Sequence, residues 1–192
     1  MEQIRRCEWA GPDPIYIDYH DNEWGKPLHD DNKLFEMLIL EGMQAGLAWI
    51  TVLKKRENFR TAFDGFDPHK VALYDEVKVE ELLTNKGIIR HRGKINAAIG
   101  NAKAFLEIQK EYGSFDRFLW DYVNGAPIVN TPESMADIPA STPLSDRISK
   151  DLKARGFKFV GSTIVYAFMQ AVGMVDDHMI WCPCHTNNRE NR

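Results

Sequence analysis

From Asp31 onward, apolar residues recur with a period near 3.6, and the alternation that would mark strands is nearly absent. Leu34, Leu38 and Ala45 fall on one face, followed by Trp49, Val52, Leu53, Phe59 and Phe63, and then by Ile95, Ile99, Ala102 and Leu106. Such a chain buries its apolar stripes helix against helix, so an all-α architecture is expected. Boundary chemistry agrees. Asp30 and Asp31 can cap a helix beginning near Asn32, Thr142 before Pro143 opens another, and Gly156 and Gly173 stand where helices should stop. The stretch 124–143 holds four of the nine prolines and reads as a long connection, a candidate boundary between two helical lobes. With 192 residues, 44% of them apolar, a core with a binding cleft needs no staples, and disorder or a disulfide scaffold is excluded. No apolar run reaches the roughly 20 residues of a membrane span. The N-terminus lacks a secretory apolar core and the three cysteines are an odd number, so a cytoplasmic protein with no membrane partner is expected.

The net charge of −4 conceals three basic islands: residues 86–103 carry +5, residues 147–158 carry +4 and residues 54–60 carry +3. Solvated helix faces are the commoner fate of such runs; a strip tracking phosphates is the sharper reading.

One residue breaks the apolar pattern. Glu41 follows Leu34 by seven positions and Leu38 by three, which pushes a carboxylate toward the core. Burying an unpaired charge costs several kcal/mol by order of magnitude, so Glu41 needs a partner, a proton, or a cationic or hydrogen-bond-donating ligand. A Gly-centred break at Ala45, Gly46 and Leu47 then leads to Trp49, an aromatic plane close to the acid. Together they suggest a pocket for a flat ligand such as a nucleobase. Trp9, Tyr16, Tyr19 and Trp24 crowd a segment with no clear helical or strand period. They either cap the helical core or form the opposite wall of that pocket.

Cys7 and His20 near the start, with His178 and Cys182 near the end, make an S2N2 set of the kind that suits tetrahedral zinc. His178 and Cys182 are spaced i, i+4, as on one helix face, which ranks Cys182 above the competing Cys184 and His185. With four protein ligands the metal would be structural, clipping the chain ends together. Between the basic helix and the apolar helix near residue 162, Gly156 and Gly161 bracket a tight hairpin. Free backbone N–H groups at Gly161, Ser162 and Thr163, flanked by Lys153, Arg155 and Lys158, make an anion site suited to one DNA phosphate. An ordinary helical hairpin is the alternative.

The strings RCEWAG, DPIYIDYHDNEWG, LFEMLILEGMQAGLAWITVLKKRENFR, RGFKFVGSTIVYAFMQAVG and DDH closely resemble the DNA-3-methyladenine glycosylase I family, bacterial base-excision enzymes of the helix-hairpin-helix superfamily. The resemblance runs from about Cys7 to Cys182. It implies hydrolytic removal of 3-methyladenine, with 3-methylguanine a second substrate, from double-stranded alkylated DNA. It further implies that Glu41 hydrogen-bonds the extruded base, that Trp49 stacks on it, and that Tyr16, Tyr19 and Trp9 line the pocket. Cys7, His20, His178 and Cys182 would hold one structural zinc, and the Ala45 to Leu47 turn would probe the gap in the duplex. No organic cofactor is implied, and a monomer is expected. One departure concerns Asp176, which stands where the wider superfamily carries a catalytic Asp and this family usually carries Asn. It either acts on the sugar cation or the attacking water, or caps a helix bearing His178; the second is slightly favoured. Ala48 stands where Ser is common. Residues 1–183 are expected to form one unit and residues 184–192 a mobile tail. A zinc-stapled binder of damaged DNA and a metal-dependent hydrolase are the competing classes.

Overall fold

A computed structural model of the chain describes residues 5–189. Its helices are α1 (Pro14–Asn22), α2 (Asp31–Gln44), α3 (Trp49–Leu53), α4 (Arg56–Ala62), α5 (Pro68–Val71), α6 (Glu76–Thr84), α7 (Arg92–Tyr112), α8 (Phe115–Asp121), α9 (Pro143–Ala154), α10 (Ser162–Ala171) and α11 (Thr186–Arg189). The mostly helical expectation therefore holds. The centre is α2, in which every residue from Leu34 to Met43 is buried; α3, α7, α8 and α10 pack around it, and α9 packs on α10. Asp30 caps α2 by accepting from the Lys33 N–H at 2.9 Å. Asp31 does something the sequence hid: its carboxylate accepts from the Phe115 and Asp116 N–H groups at 2.9 and 2.8 Å, satisfying the start of α8 instead. On α7, Ile95, Ile99 and Ala102 are buried as expected, but Phe105 and Ile108 continue the core stripe and Leu106 is only half-buried.

Four features depart from the sequence reading. The aromatic N-terminal segment contains a regular helix, α1, started by Pro14 and capped by Asp13, which accepts from the Ile15 N–H. Its inward face is Tyr16, Tyr19 and His20 rather than aliphatic, which is why no apolar period was visible. A small parallel pair, β1 (Ile128–Val129) and β2 (Val175–Asp176), ties the proline-rich connection to the segment after α10. Two residues per strand are too few for alternation to register. His178 and Cys182 are not on a helix. The His178 N–H donates to Asp176 Oδ1 and the Ile180 N–H to the Pro132 carbonyl, so the amides a helix would use are spent elsewhere. Finally, the expected tail is docked as far as Arg189, whose guanidinium donates to Gly25 O and to Asp176 Oδ2, both at 3.0 Å. Residues 190–192 of that tail lie outside the described residues.

The loop after α1 seats against the end of α10. Gly25 N–H donates to Gln170 O at 2.9 Å and Leu28 N–H to Val172 O at 3.0 Å. Gly173, at φ +72°, is where the two chains touch: a Cβ there would lie 2.1 Å from the Lys26 carbonyl carbon. This approach brings the aromatic face of α1 over the C-terminal half of α2. No described helix is long and apolar enough to cross a membrane.

Candidate active site

Between α1, α2, α3 and α10 lies a cavity of about 220 Å³, smaller than the roughly 300–1,000 Å³ typical of drug-sized ligands and suited to a single base. Glu41, Trp49, Tyr16, Tyr19 and Trp9, the residues singled out from the sequence, all line it. Trp24 joins them, as do Gln44, Met135, Ile138, Ala167 and Gln170, which sequence reasoning missed. Gln44 lies one helical turn beyond Glu41, so the helical repeat held a signal for it; Met135 and Ile138 come from the proline-rich connection and held none. Trp9 stands edge-on to Tyr16 at 5.1 Å and to Trp24 at 4.8 Å, and Tyr19 is tilted against Trp49 at 5.5 Å between ring centroids.

Glu41 is 4% exposed and, among the described residues, its carboxyl has neither a hydrogen bond nor an ion pair. Burial alone pushes its pKa up to about 8. Burial also lifts the Tyr16 and Tyr19 phenols above their ordinary range, with the Glu41 charge adding to it, so both remain neutral. An uncompensated acid walled by rings has one chemical aptitude: it welcomes a planar ligand that carries positive charge or offers an N–H.

Behind this wall sits a cluster of thiols and imidazoles that could hold a metal ion. The ligand atoms of Cys7, His20 and Cys182 lie within 4.8 Å of one another, as do those of His20, His178 and Cys184. All five residues are buried and the cysteines are free thiols. Each imidazole is oriented by a carboxylate: His20 Nδ1 faces Asp21 Oδ1 at 2.7 Å, and His178 Nδ1 faces Asp176 Oδ1 at 2.7 Å. That turns both Nε2 atoms into the cluster, where His20 Nε2 lies 3.6 Å from Cys182 Sγ and His178 Nε2 3.4 Å from His20 O. Hydrogen bonds from the Cys184 and Cys7 thiols hold Cys182 well below the usual thiol range, the thiolate character a ligand needs. Backbone N–H groups of Met179 and Cys184 also point at the sulfurs of Cys7 and Cys182, each at 3.4 Å. His185 faces away, with Nε2 bonded to Asn130 O at 2.7 Å. Because no helix carries His178 and Cys182, spacing no longer ranks Cys182 above Cys184: Cys182 Sγ lies 3.6 Å from His20 Nε2 and groups with Cys7, while Cys184 groups with His20 and His178. The cluster touches the cavity wall directly, since Trp24 stands edge-on to His178 at 4.6 Å and Trp9 lies 5.2 Å from His20.

Asp176 is not in the cavity. It is fully buried, and its oxygens accept from His178 on one side and from Thr186 and Arg189 on the other. Burial opposes its ionisation, but the bonds from His178 and Thr186 prevail and hold the carboxyl well below the ordinary range.

The turn at Ala45, Gly46 and Leu47 protrudes from the end of α2, with Gly46 at φ +80° and Leu47 38% exposed. Gln44 Nε2 donates to Leu47 O at 2.8 Å, linking the turn to the cavity. The hairpin between α9 and α10 is also present: Gly156 adopts φ +94°, Gly161 precedes α10, and Lys158 and Thr163 are exposed. The basic islands divide. In residues 54–60, Lys54 pairs with Asp13, Arg56 with Glu23 and Arg60 with Glu36, which compensates three of the four bases, while Lys55 donates to the Lys86 carbonyl. Arg92 pairs with Glu76 and Glu80, Arg155 with Glu111, and Lys94 is buried. Lys86, Arg90, Lys103, Lys150, Lys153 and Lys158 remain exposed.

Residues 9–185 match the methyladenine glycosylase family. The chain is 56% identical over 186 residues to DNA-3-methyladenine glycosylase 1 of Escherichia coli K12, covering 97% of this chain and all of that protein. It is 52% identical over 182 residues to DNA-3-methyladenine glycosylase of Haemophilus influenzae, covering 95% and 98%. A crystal structure of a 3-methyladenine DNA glycosylase I superposes with a TM-score of 0.92 at 57% identity, over 94% of this chain and all of that one. A second, from Staphylococcus aureus and describing recognition of 3-methyladenine, gives 0.91 at 42% identity over 94% and 96%.

Proposed function

The chain belongs to the methyladenine glycosylase family, and from that premise we infer that it hydrolyses the N-glycosidic bond of 3-methyladenine in alkylated DNA, leaving an abasic site for base-excision repair. The observation that carries this reading is Glu41, an unpaired carboxyl sealed among tyrosine and tryptophan rings in a cavity of one base's size.

The chemistry suits that cavity. A purine methylated at N3 bears positive charge and leaves readily, while the sugar passes through an oxocarbenium-like state. Little acid catalysis is required of the protein. Its work is to extrude the base, at a cost of a few kcal/mol that is least for a poorly paired lesion, and to hold it while water attacks. At neutral pH the free Glu41, titrating near 8, is mostly protonated. A cationic base favours its carboxylate form and gains a hydrogen bond between opposite charges, whereas neutral adenine, though it offers an amino N–H, brings no positive charge. Trp49 stacks on the base, and a cation–π contact adds about 0.5–2 kcal/mol of discrimination. Tyr16, Tyr19 and Trp9 complete the wall. 3-Methylguanine carries the same charge and is a second substrate on this account.

Gly46 and Leu47 enter the gap left in the duplex, supported by an apolar side chain exposed at a protruding turn. The backbone N–H groups of Gly161, Ser162 and Thr163, with Lys158, hold one phosphate in the manner of a helix-hairpin-helix element. Cys7, His20, His178 and Cys182 would hold one zinc, a donor set whose softness and number suit that ion. Bound there, it would supply structural cross-linking, and Cys7 and His20 would tie α1 and its aromatic face to the loop of His178 and Cys182. Asp176 orients the His178 ring; its saturated oxygens and its place outside the cavity support this over a role at the sugar. The protein acts as a monomer in the cytoplasm, where the DNA is.

The test is release of free base from dimethyl-sulfate-treated DNA, resolved by chromatography. Release of 3-methyladenine without 7-methylguanine, weakened by Glu41→Gln and by Trp49→Ala, is expected. A folded, metal-loaded protein that releases no base would overturn the enzyme reading and leave a binder of damaged DNA.

A further inference from the structure

Two buried polar side chains on α7 have no part in the cavity or the metal cluster. Lys94 is 8% exposed and Asn101 is 4% exposed. They stand seven residues apart, two helical turns on one face, which separates them by about 10 Å along the axis. Each spends its side chain on the backbone of a different loop. Lys94 Nζ donates to Met43 O at 2.9 Å and to Ala45 O at 2.6 Å, where α2 ends and the protruding turn begins. Asn101 grips both sides of one peptide position in the hairpin: its Nδ2 donates to Lys158 O at 3.0 Å, and its Oδ1 accepts from Lys158 N–H at 2.8 Å.

Both loops need holding. The carbonyls at the end of α2 have no intrahelical partners, and a cation there satisfies two of them and meets the negative end of the helix. Next to Lys158, Phe159 sits at φ +56°, a left-handed conformation that a bulky residue adopts only when its neighbours impose it. Those neighbours include α2, since a Cβ on Gly42 would lie 3.4 Å from Phe159 Cβ. Lys94 has no carboxylate partner to justify its burial among the described residues; the two carbonyls are its whole compensation.

We propose that Lys94 and Asn101 are positioning residues that use α7 as a rigid spacer, fixing the separation between the turn that enters the duplex gap and the hairpin that holds the phosphate. The proposal rests on the DNA-contacting roles assigned above to those two loops. With the spacer intact, one binding event seats both loops at the separation the duplex presents; with either end released, the second loop must be ordered at the time of binding. Base recognition at Glu41 and Trp49 is left alone.

The experiment compares Lys94→Met, Asn101→Ala and the double variant with the unmodified protein in two equilibrium titrations. One uses a duplex with a stable abasic-site analogue, and the other uses free 3-methyladenine followed by tryptophan fluorescence. Duplex affinity is expected to fall at least tenfold in each single variant, free-base affinity to stay within twofold, and the double variant to lose little more than either single one. Lys94→Arg, which keeps the donors, is expected to restore most of the duplex affinity. Unchanged duplex affinity, parallel loss of free-base affinity, or fully additive losses would each overturn the proposal. Should Lys94→Met fail to fold, the split between the two titrations in Asn101→Ala decides alone. Neither titration involves bond cleavage, so failure of the glycosylase reading, seen as no base release by the unmodified protein, is distinguishable from failure of the spacer.

Discussion

Replacing Glu41 by Gln should stabilise the protein while weakening its grip on the base, and the size of the first effect follows from burial. The folded carboxyl titrates near 8 against an ordinary 4.5. Between those values the unfolded chain loses this proton and the folded chain keeps it, so stability falls as pH rises, by about 1.4 kcal/mol per unit. Carried from 4.5 to pH 7, the cost is about 3 kcal/mol by order of magnitude, and it levels off above pH 8. Gln has nearly the same shape and never ionises, so the variant escapes that cost. In a chain of this size 1 kcal/mol moves Tm by roughly 2–4 °C, which puts the expected rise at pH 7 at roughly 6–12 °C. Below pH 4.5, where Glu41 is protonated in both states, the two proteins should melt together. The same change removes a charged acceptor from the cavity, worth about 1.5–3 kcal/mol in a hydrogen bond, so affinity for free 3-methyladenine should drop about 10- to 100-fold. Thermal melts of both proteins from pH 4 to pH 9, beside fluorescence titrations with the base, read both effects. A Gln variant no more stable than its parent at pH 7, or an offset that does not change with pH, would refute the argument that burial keeps this acid neutral.

Stripping the metal with a strong chelator should lower Tm sharply and abolish free-base binding together, because the clip that holds α1 is lost; metal analysis showing no bound zinc, or melts indifferent to chelation, would remove the cluster from the account. Asp176→Asn should leave single-turnover base release unchanged in the zinc-loaded protein while weakening metal affinity about 10- to 100-fold, as expected for a residue that orients a ligand; slowed release at full zinc loading would return it to the chemistry. Lys158→Ala should weaken binding to duplexes of any sequence and reduce the slope of log affinity against log salt by about 1, whereas an unchanged slope means this side chain meets no phosphate. Gly173→Ala should fail to fold stably, since its methyl would lie 2.1 Å from the Lys26 carbonyl carbon at a φ of +72°; chemical denaturation at the parental midpoint would show that the loop after α1 can move aside.

The chain's helical character, the starts of α2 and α9 and the stops of α9 and α10 could be read from periodicity, Asp30, Thr142, Gly156 and Gly173, because helix period and capping are local properties. Glu41 was legible for a related reason: a charged residue in an apolar stripe is an anomaly visible on one helix. The resemblance extended this to the family, and the match over residues 9–185 bears it out. Elsewhere local logic misled. Asp31 looked like a cap for its own helix and satisfies α8. Lys94 looked like part of a basic strip and lies buried on two carbonyls. His178 and Cys182 had helical spacing and lie in a loop, because the His178 amide turns to the Asp176 side chain and the Ile180 amide between them pairs with the Pro132 carbonyl, far away in sequence.

What the sequence determined alone was the set of helices and the identity of an acid that could not be comfortable in a core. Only the tertiary structure decided where that acid looks. Gly173 lets the chain after α1 approach the end of α10, the carboxylates Asp21 and Asp176 aim two imidazoles at the same point, and the aromatic face of α1 thereby closes over Glu41. Each carboxylate steers an imidazole one or two positions away, but the approach of Gly173 to Lys26 and the meeting of the His20 and His178 rings at 4.9 Å join residues more than a hundred positions apart, and helix periodicity, which compares a residue only with its near neighbours, carries no information about them.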